Sequence, residues 1–279
     1  RVIRDRLQRE MKTNVSIHVE DTDEAGVFNV SARGAMQIAV LVETMRREKF
    51  ELCVSRPTVI IRRDDSGAKL EPWETLYVEL PSEFANSVMK SLSDRRGMLE
   101  DMQSQEASGR TLITATIPTR GLIGFEFELV NLTSGHGIMS HLFKEYAPWA
   151  GEISMRQTGT LVSMETGVST GYSLLALEER GVLFIGPQED CYTGMIVGES
   201  PRREDLPVNP VKAKKLDNIR SATKEQTTKL APPRKFSLER AIEYIAPDEL
   251  VEATPNSLRL RKRILDPNER KRAVKRGDA

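Results

Sequence analysis

Residues 117–146 read IPTRGLIGFEFELVNLTSGHGIMSHLFKEY, and this run decides the fold of the middle of the chain. Ile123, Phe125, Phe127 and Leu129 alternate as a strand requires, yet Ile123, Phe127 and Val130 also share one helical face, so periodicity leaves both open. A strand over 138–143 closes the run. Upstream, residues 75–80 have strand character. Phe84, Val88, Met89 and Leu92 make a helix face ending near Gly97. Residues 98–105 and 111–118 read as a hairpin turning through Ser108 and Gly109. With a helix over the ambiguous stretch, residues 67–148 form a complete split βαβ fold.

Toward the N-terminus, Ile3, Leu7 and Met11 recur at four-residue spacing, one face of an amphipathic helix. Val15, Ile17 and Val19 alternate with Ser16, His18 and Glu20 as a half-buried strand, and a second short strand covers 27–31. Ile38, Leu41, Val42 and Met45 give another helix stripe. Residues 50–63 read as a strand interrupted by Pro57, hence at an edge or bulged. Residues 1–66 are thus expected to be a split βαβ domain lacking its first strand, which must keep an exposed edge or borrow a neighbour. The turn at 64–67 is the expected boundary.

Beyond Trp149, short β-like runs at 160–164, 172–177, 182–185 and 195–197 are separated by glycines, which predicts a β-rich third domain over 149–279. Residues 212–229 are polar and basic and read as a long loop. A helix over 236–245 has Ser237 as its cap, and strands at 250–254 and 258–264 flank Pro255 and Asn256. Asp266, Pro267 and Glu269 announce a short basic helix. The fold class is α+β: two ferredoxin-like split βαβ domains followed by a β-rich C-terminal domain with a long basic loop.

The 279 residues are 39% hydrophobic and 29% charged, which fits a globular protein and argues against disorder. No window approaches a membrane span, and two cysteines far apart fit a reducing cytoplasm. The net charge of zero conceals an asymmetry, because residues 202–279 carry 20 Lys and Arg against 12 Asp and Glu. A basic surface of this kind suits a polyanion, and a solvated surface gives the same count.

Candidate chemistry is sparse. The chain has no Gly–Lys pair, so it has no phosphate-binding loop of the G-x-x-x-x-G-K type and is not expected to hydrolyse GTP by itself. Residues 167–171 match G-x-S-x-G around Ser169, but His18, His136 and His141 all precede it, against the Ser–acid–His order of that fold. A glycine-rich turn is the expected reading. The histidines lack a zinc spacing. Lys212, Lys214, Lys215, Arg220, Lys224 and Lys229, with Asn218 among them, form a cationic loop able to reach phosphates in folded RNA. Arg259, Arg261 and Arg263 alternate with Leu258, Leu260, Lys262 and Ile264, which places three guanidiniums on one strand face. Arg95 and Arg96 precede Gly97 and are weaker candidates. Arg270, Lys271, Arg272, Lys275 and Arg276 read as peripheral charge.

Taken together, these segments resemble the C-terminal half of the TypA/BipA family of ribosome-binding translational GTPases. Residues 4–7, 14–19 and 41–47 are similar to the family's elongation-factor domain III, and 71–146 to domain V, shared with elongation factor G. Residues 156–159, 180–186, 192–198, 214–223, 248–254 and 257–263 are similar to the domain peculiar to the family. One departure stands out: residues 31–38 read SARGAMQI where the family has a GRGELHL-like run. The resemblance favours a helix over the ambiguous stretch and implies contact of the basic loop with A-site tRNA and large-subunit ribosomal RNA. It places Arg95 and Arg96 toward ribosomal RNA. It implies roles in stress adaptation and large-subunit assembly, with GTP and Mg held by a domain outside this chain and no cofactor within it. A monomer without membrane partners is expected. The competing readings are a protein–protein scaffold without RNA affinity and a serine hydrolase using Ser169.

Overall fold

The stripe of Ile3, Leu7 and Met11 forms helix α1 (Val2–Thr13), which packs Leu7 against Ile17. Strands β1 (His18–Asp21) and β2 (Phe28–Ser31) pair as an antiparallel hairpin. Helix α2 (Ala35–Arg47) follows, with Gly34 at its cap, and then β3 (Leu52–Ser55). Helix α2 carries two apolar rows. Leu41 and Met45 join Leu7 and Ile17, whereas Ala39 and Val42 join residues from the far end of the chain. The computed structural model describes residues 1–105, 107–153, 156, 158–213 and 229–276. It divides into two units, Arg1–Arg56 with Arg156–Ala279, and Pro57–Met155.

The second unit opens with β4 (Arg62–Arg63) and the long β5 (Lys69–Pro81). The turn at 64–67 is the loop of the β4–β5 hairpin, in which the Asp64 carboxylate accepts the N–H groups of Ser66 and Ala68. The change of unit falls at Pro57 instead. The single strand expected over 50–63 is therefore two short strands in two sheets. Proline donates no hydrogen bond and ends a ladder.

Helix α3 (Ala85–Asp94), strands β6 (Met98–Gln105) and β7 (Arg110–Pro118), the short helix α4 (Thr119–Leu122), helix α5 (Phe125–Leu132) and strand β8 (Ile138–Pro148) complete the unit. The strands order β8-β5-β7-β6, all antiparallel, which is the ferredoxin-like arrangement. The ambiguous stretch is helical. Phe125 and Leu129 lie one turn apart and fill the core with Leu76, Val78, Val88, Leu92, Ile113 and Ile117. Gly124 adopts φ +75°, the left-handed backbone that lets α4 turn into α5.

The first unit resumes with β9 (Thr160–Ser163), β10 (Gly167–Val168), helix α6 (Gly171–Glu178), β11 (Val182–Leu183), β12 (Asp190–Cys191), β13 (Met195–Glu199) and β14 (Leu206–Val208). Helix α7 (Leu238–Tyr244), strands β15 (Glu249–Ala253) and β16 (Leu258–Lys262), and helix α8 (Pro267–Arg276) follow. The β-like run expected over 172–177 is helix α6. The Thr170 hydroxyl caps the Ser173 N–H, and Ser173, Leu174 and Leu177 bury one helical face, which overrides local strand preference.

One seven-stranded sheet orders β14-β9-β13-β16-β15-β3, with β11 also paired to β13. Strand β3 does not join β1 and β2. It pairs with β15 from Leu52↔Ala253 to Ser55↔Leu250 and is the edge strand of this sheet, so it borrows a neighbour from the far end of the chain. The segments expected as separate domains over 1–66 and 149–279 share this sheet. One face packs α2 and α7 through Val42, Ile242, Val251 and Leu260. The other packs α6 through Leu161, Leu174 and Val197.

Phe125 is fully buried at the centre of the second unit's core. Phe125→Ala is expected to lower that unit's stability by about 3–5 kcal/mol, measured as a shifted urea midpoint for its transition.

Candidate nucleic-acid interface

Strand β16 alternates as its sequence requires. Leu260 enters the core and Lys262 is 2% exposed, while Arg259 and Arg261 occupy the opposite phase and Arg263 is exposed just beyond the strand. Three strands line up Cys53, Glu252 and Arg259 in one row. Four line up Ser55, Leu250, Arg261 and Met195 in the next. The arginines therefore stand on the sheet face that carries α6, at its β15 side.

The Lys262 ammonium holds this phase together with Leu258 and Leu260. It lies 2.6 Å from Asp205, 2.8 Å from Asp248 and 2.9 Å from Glu249. Glu249 is fully buried and takes a two-pronged contact from Arg156 at 2.7 and 2.9 Å. Burial opposes the Lys262 charge, but the attraction of Glu249 and hydrogen bonds to Asp205, Asp248 and Glu249 outweigh it and raise its pKa. Burial likewise works to raise the pKa of Glu249, and Arg156 and Lys262 overcome it and hold the carboxyl below its ordinary range. Asp205 is lowered in the same way, burial being outweighed by Lys262 and by bonds from Thr160.

The arginines keep capacity for an external acceptor. Arg259 gives one N–H to Glu252 at 3.3 Å, and Arg261 donates to the carbonyls of Lys262 and Arg263 at 3.2 and 3.4 Å. A guanidinium has five N–H donors, so both retain others. Glu252 also accepts the Tyr192 hydroxyl at 2.7 Å, which braces the Arg259 partner. Sequence reading missed Tyr192 and Glu252. Register brings Glu252 beside Arg259, and the turn before β13 brings Tyr192 to Glu252. For Lys262 a cue existed, since it falls in the inward phase of Leu258 and Leu260.

Of the loop candidates, Lys212 and Lys229 are exposed, and Lys214, Lys215, Asn218, Arg220 and Lys224 lie outside the described residues. Arg96 is exposed, with φ +63°, and gives its Nε to the Glu152 carbonyl at 3.2 Å. Arg95 differs from expectation. It is 7% exposed, paired with Glu128 at 2.5 Å and donating to the Gly121 carbonyl at 2.7 Å. Its charge anchors α3 to α4 and α5, so it presents no guanidinium to an outside phosphate.

Ser169 is fully buried. Its hydroxyl donates to the Gly186 carbonyl at 2.7 Å and accepts the Glu189 N–H at 3.0 Å. Both bonds are to backbone and fix a turn, leaving no arrangement for nucleophilic attack. His141 bonds Glu74, and His136 bonds the Thr133 carbonyl. No cluster of metal-ligating side chains occurs among the described residues. Cys53 is exposed and Cys191 buried, both free thiols. Among the described residues, no helix is long and apolar enough to cross a membrane.

Comparison with known proteins adds two domain matches. Residues 158–267 match the TypA/BipA C-terminal domain, and residues 68–157 match the elongation factor G C-terminus. The chain is 46% identical over 99% of its length to the large ribosomal subunit assembly factor BipA of Bacillus subtilis, and 46% identical to that of Synechocystis. It is 44% identical over 98% of its length to the Salmonella typhimurium factor. In each case it spans 45% of the relative's length.

Glu249→Gln is expected to destabilise the first unit by about 3 kcal/mol or more, because it leaves Arg156 and Lys262 short of a counter-charge. The sign of the pH effect follows from the directions of the shifts. Depressed carboxyls contribute above their unfolded values near pH 4 and lose that contribution as pH falls through the folded ones. The raised Lys262 contributes below about pH 10 and loses it above. Denaturant midpoints of the native chain should therefore be level near neutrality and fall at both extremes, with a shallower acid limb in Glu249→Gln.

Proposed function

This chain belongs to the TypA/BipA family, and from that premise we propose that it is the RNA-docking portion of a ribosome-associated translational GTPase. In this reading it contacts large-subunit ribosomal RNA and A-site tRNA during subunit assembly and stress adaptation. The relatives are named as assembly factors of the large ribosomal subunit, which supports ribosome association. The single observation that carries the RNA contact is the row of Arg259, Arg261 and Arg263, held outward by the buried Lys262. Guanidiniums on a rigid strand match phosphate oxygens with two-pronged geometry and are pre-organised for it. Lys212 and Lys229 mark the two ends of the basic segment that would extend this surface, with Lys214, Lys215, Asn218, Arg220 and Lys224 between them.

The mechanism is docking. The second unit supplies a rigid ferredoxin-like body, Arg96 contributes a peripheral cation, and Arg95 acts only inside the core. GTP hydrolysis, with its Mg, belongs to a part of the protein outside this chain, and the chain itself uses no cofactor. It acts as a monomer in the cytoplasm.

Ribosome co-sedimentation across a salt series tests this reading. The native chain should pellet with ribosomes at low salt and be released as salt rises. Paired Arg259→Glu and Arg261→Glu, and separately Lys214→Glu with Lys215→Glu, should each abolish pelleting at a temperature where the thermal midpoint of each variant shows it folded. Pelleting that ignores both salt and these charge reversals would instead identify a protein–protein scaffold.

A further inference from the structure

Helix α8 has no residue in the core, and its one large apolar side chain, Val274, is 67% exposed. Helices without an apolar face need another source of order. Here it is local. The Asp266 carboxylate accepts the N–H groups of Asn268 and Glu269 at 2.8 and 2.9 Å. Arg270 reaches back to the carbonyls of Ile264 and Leu265 at 2.9 and 2.6 Å, which ties the first turn to the end of β16. The helix is thus held at one end and presented to solvent along its length.

Four cations fill that length. Lys271 and Lys275 form one row at i,i+4, and Arg272 and Arg276 form a second, all exposed. None of the four makes an ion pair with a described residue. Like charges at this spacing destabilise a helix by a few tenths of a kcal/mol per pair. The position near the helix C-terminus favours cations, but it does not call for two parallel rows. The dipole accounts for Lys275 and Arg276 in the last turn and leaves Lys271 and Arg272 without a folding role.

We propose that α8 is a second, sequence-independent contact with the phosphate backbone of double-helical RNA. The inference rests on the RNA-docking reading above and extends it to an element which that reading leaves out. Successive cations in a row sit about 6 Å apart along the axis, so each row offers consecutive charges to one strand. The helix carries no aromatic side chain on which an unpaired base could stack, and this favours backbone over base contact. A membrane surface is disfavoured because a lone valine gives no apolar face to insert. The connection between β16 and α8 is short, so Arg259, Arg261, Arg263 and the α8 rows form one sequence-continuous basic element.

The test uses the whole chain, a blunt RNA duplex of arbitrary sequence, and fluorescence anisotropy over a salt series. The variant replaces Lys271, Arg272, Lys275 and Arg276 with Gln. Each lost phosphate contact removes about 0.9 from the slope of log affinity against log salt on the duplex-DNA scale. The variant slope should therefore be shallower by roughly two to three and a half, with an unchanged thermal midpoint. A steep native slope retained in the variant would overturn the α8 contact and leave the docking reading standing. A native chain whose duplex binding ignores salt would remove both. Native binding to vesicles of anionic phospholipid that is lost in the same variant would make the partner a membrane and end the proposal.

Discussion

The ammonium of Lys262 is the point on which the first unit depends. Burying a lone charge is prohibitive, and burying one among three carboxylates and a neighbouring guanidinium is tolerable only when every partner is in place. Those partners come from residues 156, 205, 248 and 249, so the cluster forms only after four stretches of chain have met. With Leu258 and Leu260 it holds the phase of β16, and that phase turns Arg259 and Arg261 to the opposite face.

The same unit joins the two ends of the chain in one sheet. Strand β3 has no hydrogen-bonded partner in the β1–β2 hairpin and lies against β15, while α2 shares its two apolar rows between α1 and α7. Arg46 adds a bond to the Thr254 carbonyl at 2.8 Å, and the Arg56 guanidinium reaches the Ile245 carbonyl at 2.8 Å. Residues 1–56 and the C-terminal part are consequently a joint structure. A charge change in β15 or β16 is felt by the ladder that holds β3.

Arginine is used in two opposed ways along this chain. Arg95 and Arg120 are buried against Glu128 and Glu71, stack near Phe125 and Trp149, and satisfy nearby carbonyls. They hold helices and strand ends in the second unit. Arg259, Arg261, Arg263 and the cations of α8 keep donors toward solvent. Sequence treats these groups alike, because a guanidinium written in a polar context carries no mark of which way it turns.

Much of the architecture was legible without coordinates. The 3.6-residue rows of α1, α2 and α3, the alternation of β7 and β16, and the caps at Ser237 and Asp266 are local, and local pattern specifies them. Helix α5 was not legible from periodicity, since 123–130 satisfies both periods, and α6 was hidden behind residues that also suit a strand. Packing on the core decided both. The sequence by itself determined the element types, the basic balance of the last third and the arginine alternation, because these depend on neighbours in the chain. Only the tertiary structure decided that β3 belongs beside β15, that Arg95 points inward, and that Asp205, Asp248 and Glu249 meet at Lys262. Those outcomes depend on partners tens to hundreds of residues away, and no local pattern encodes which of them will meet.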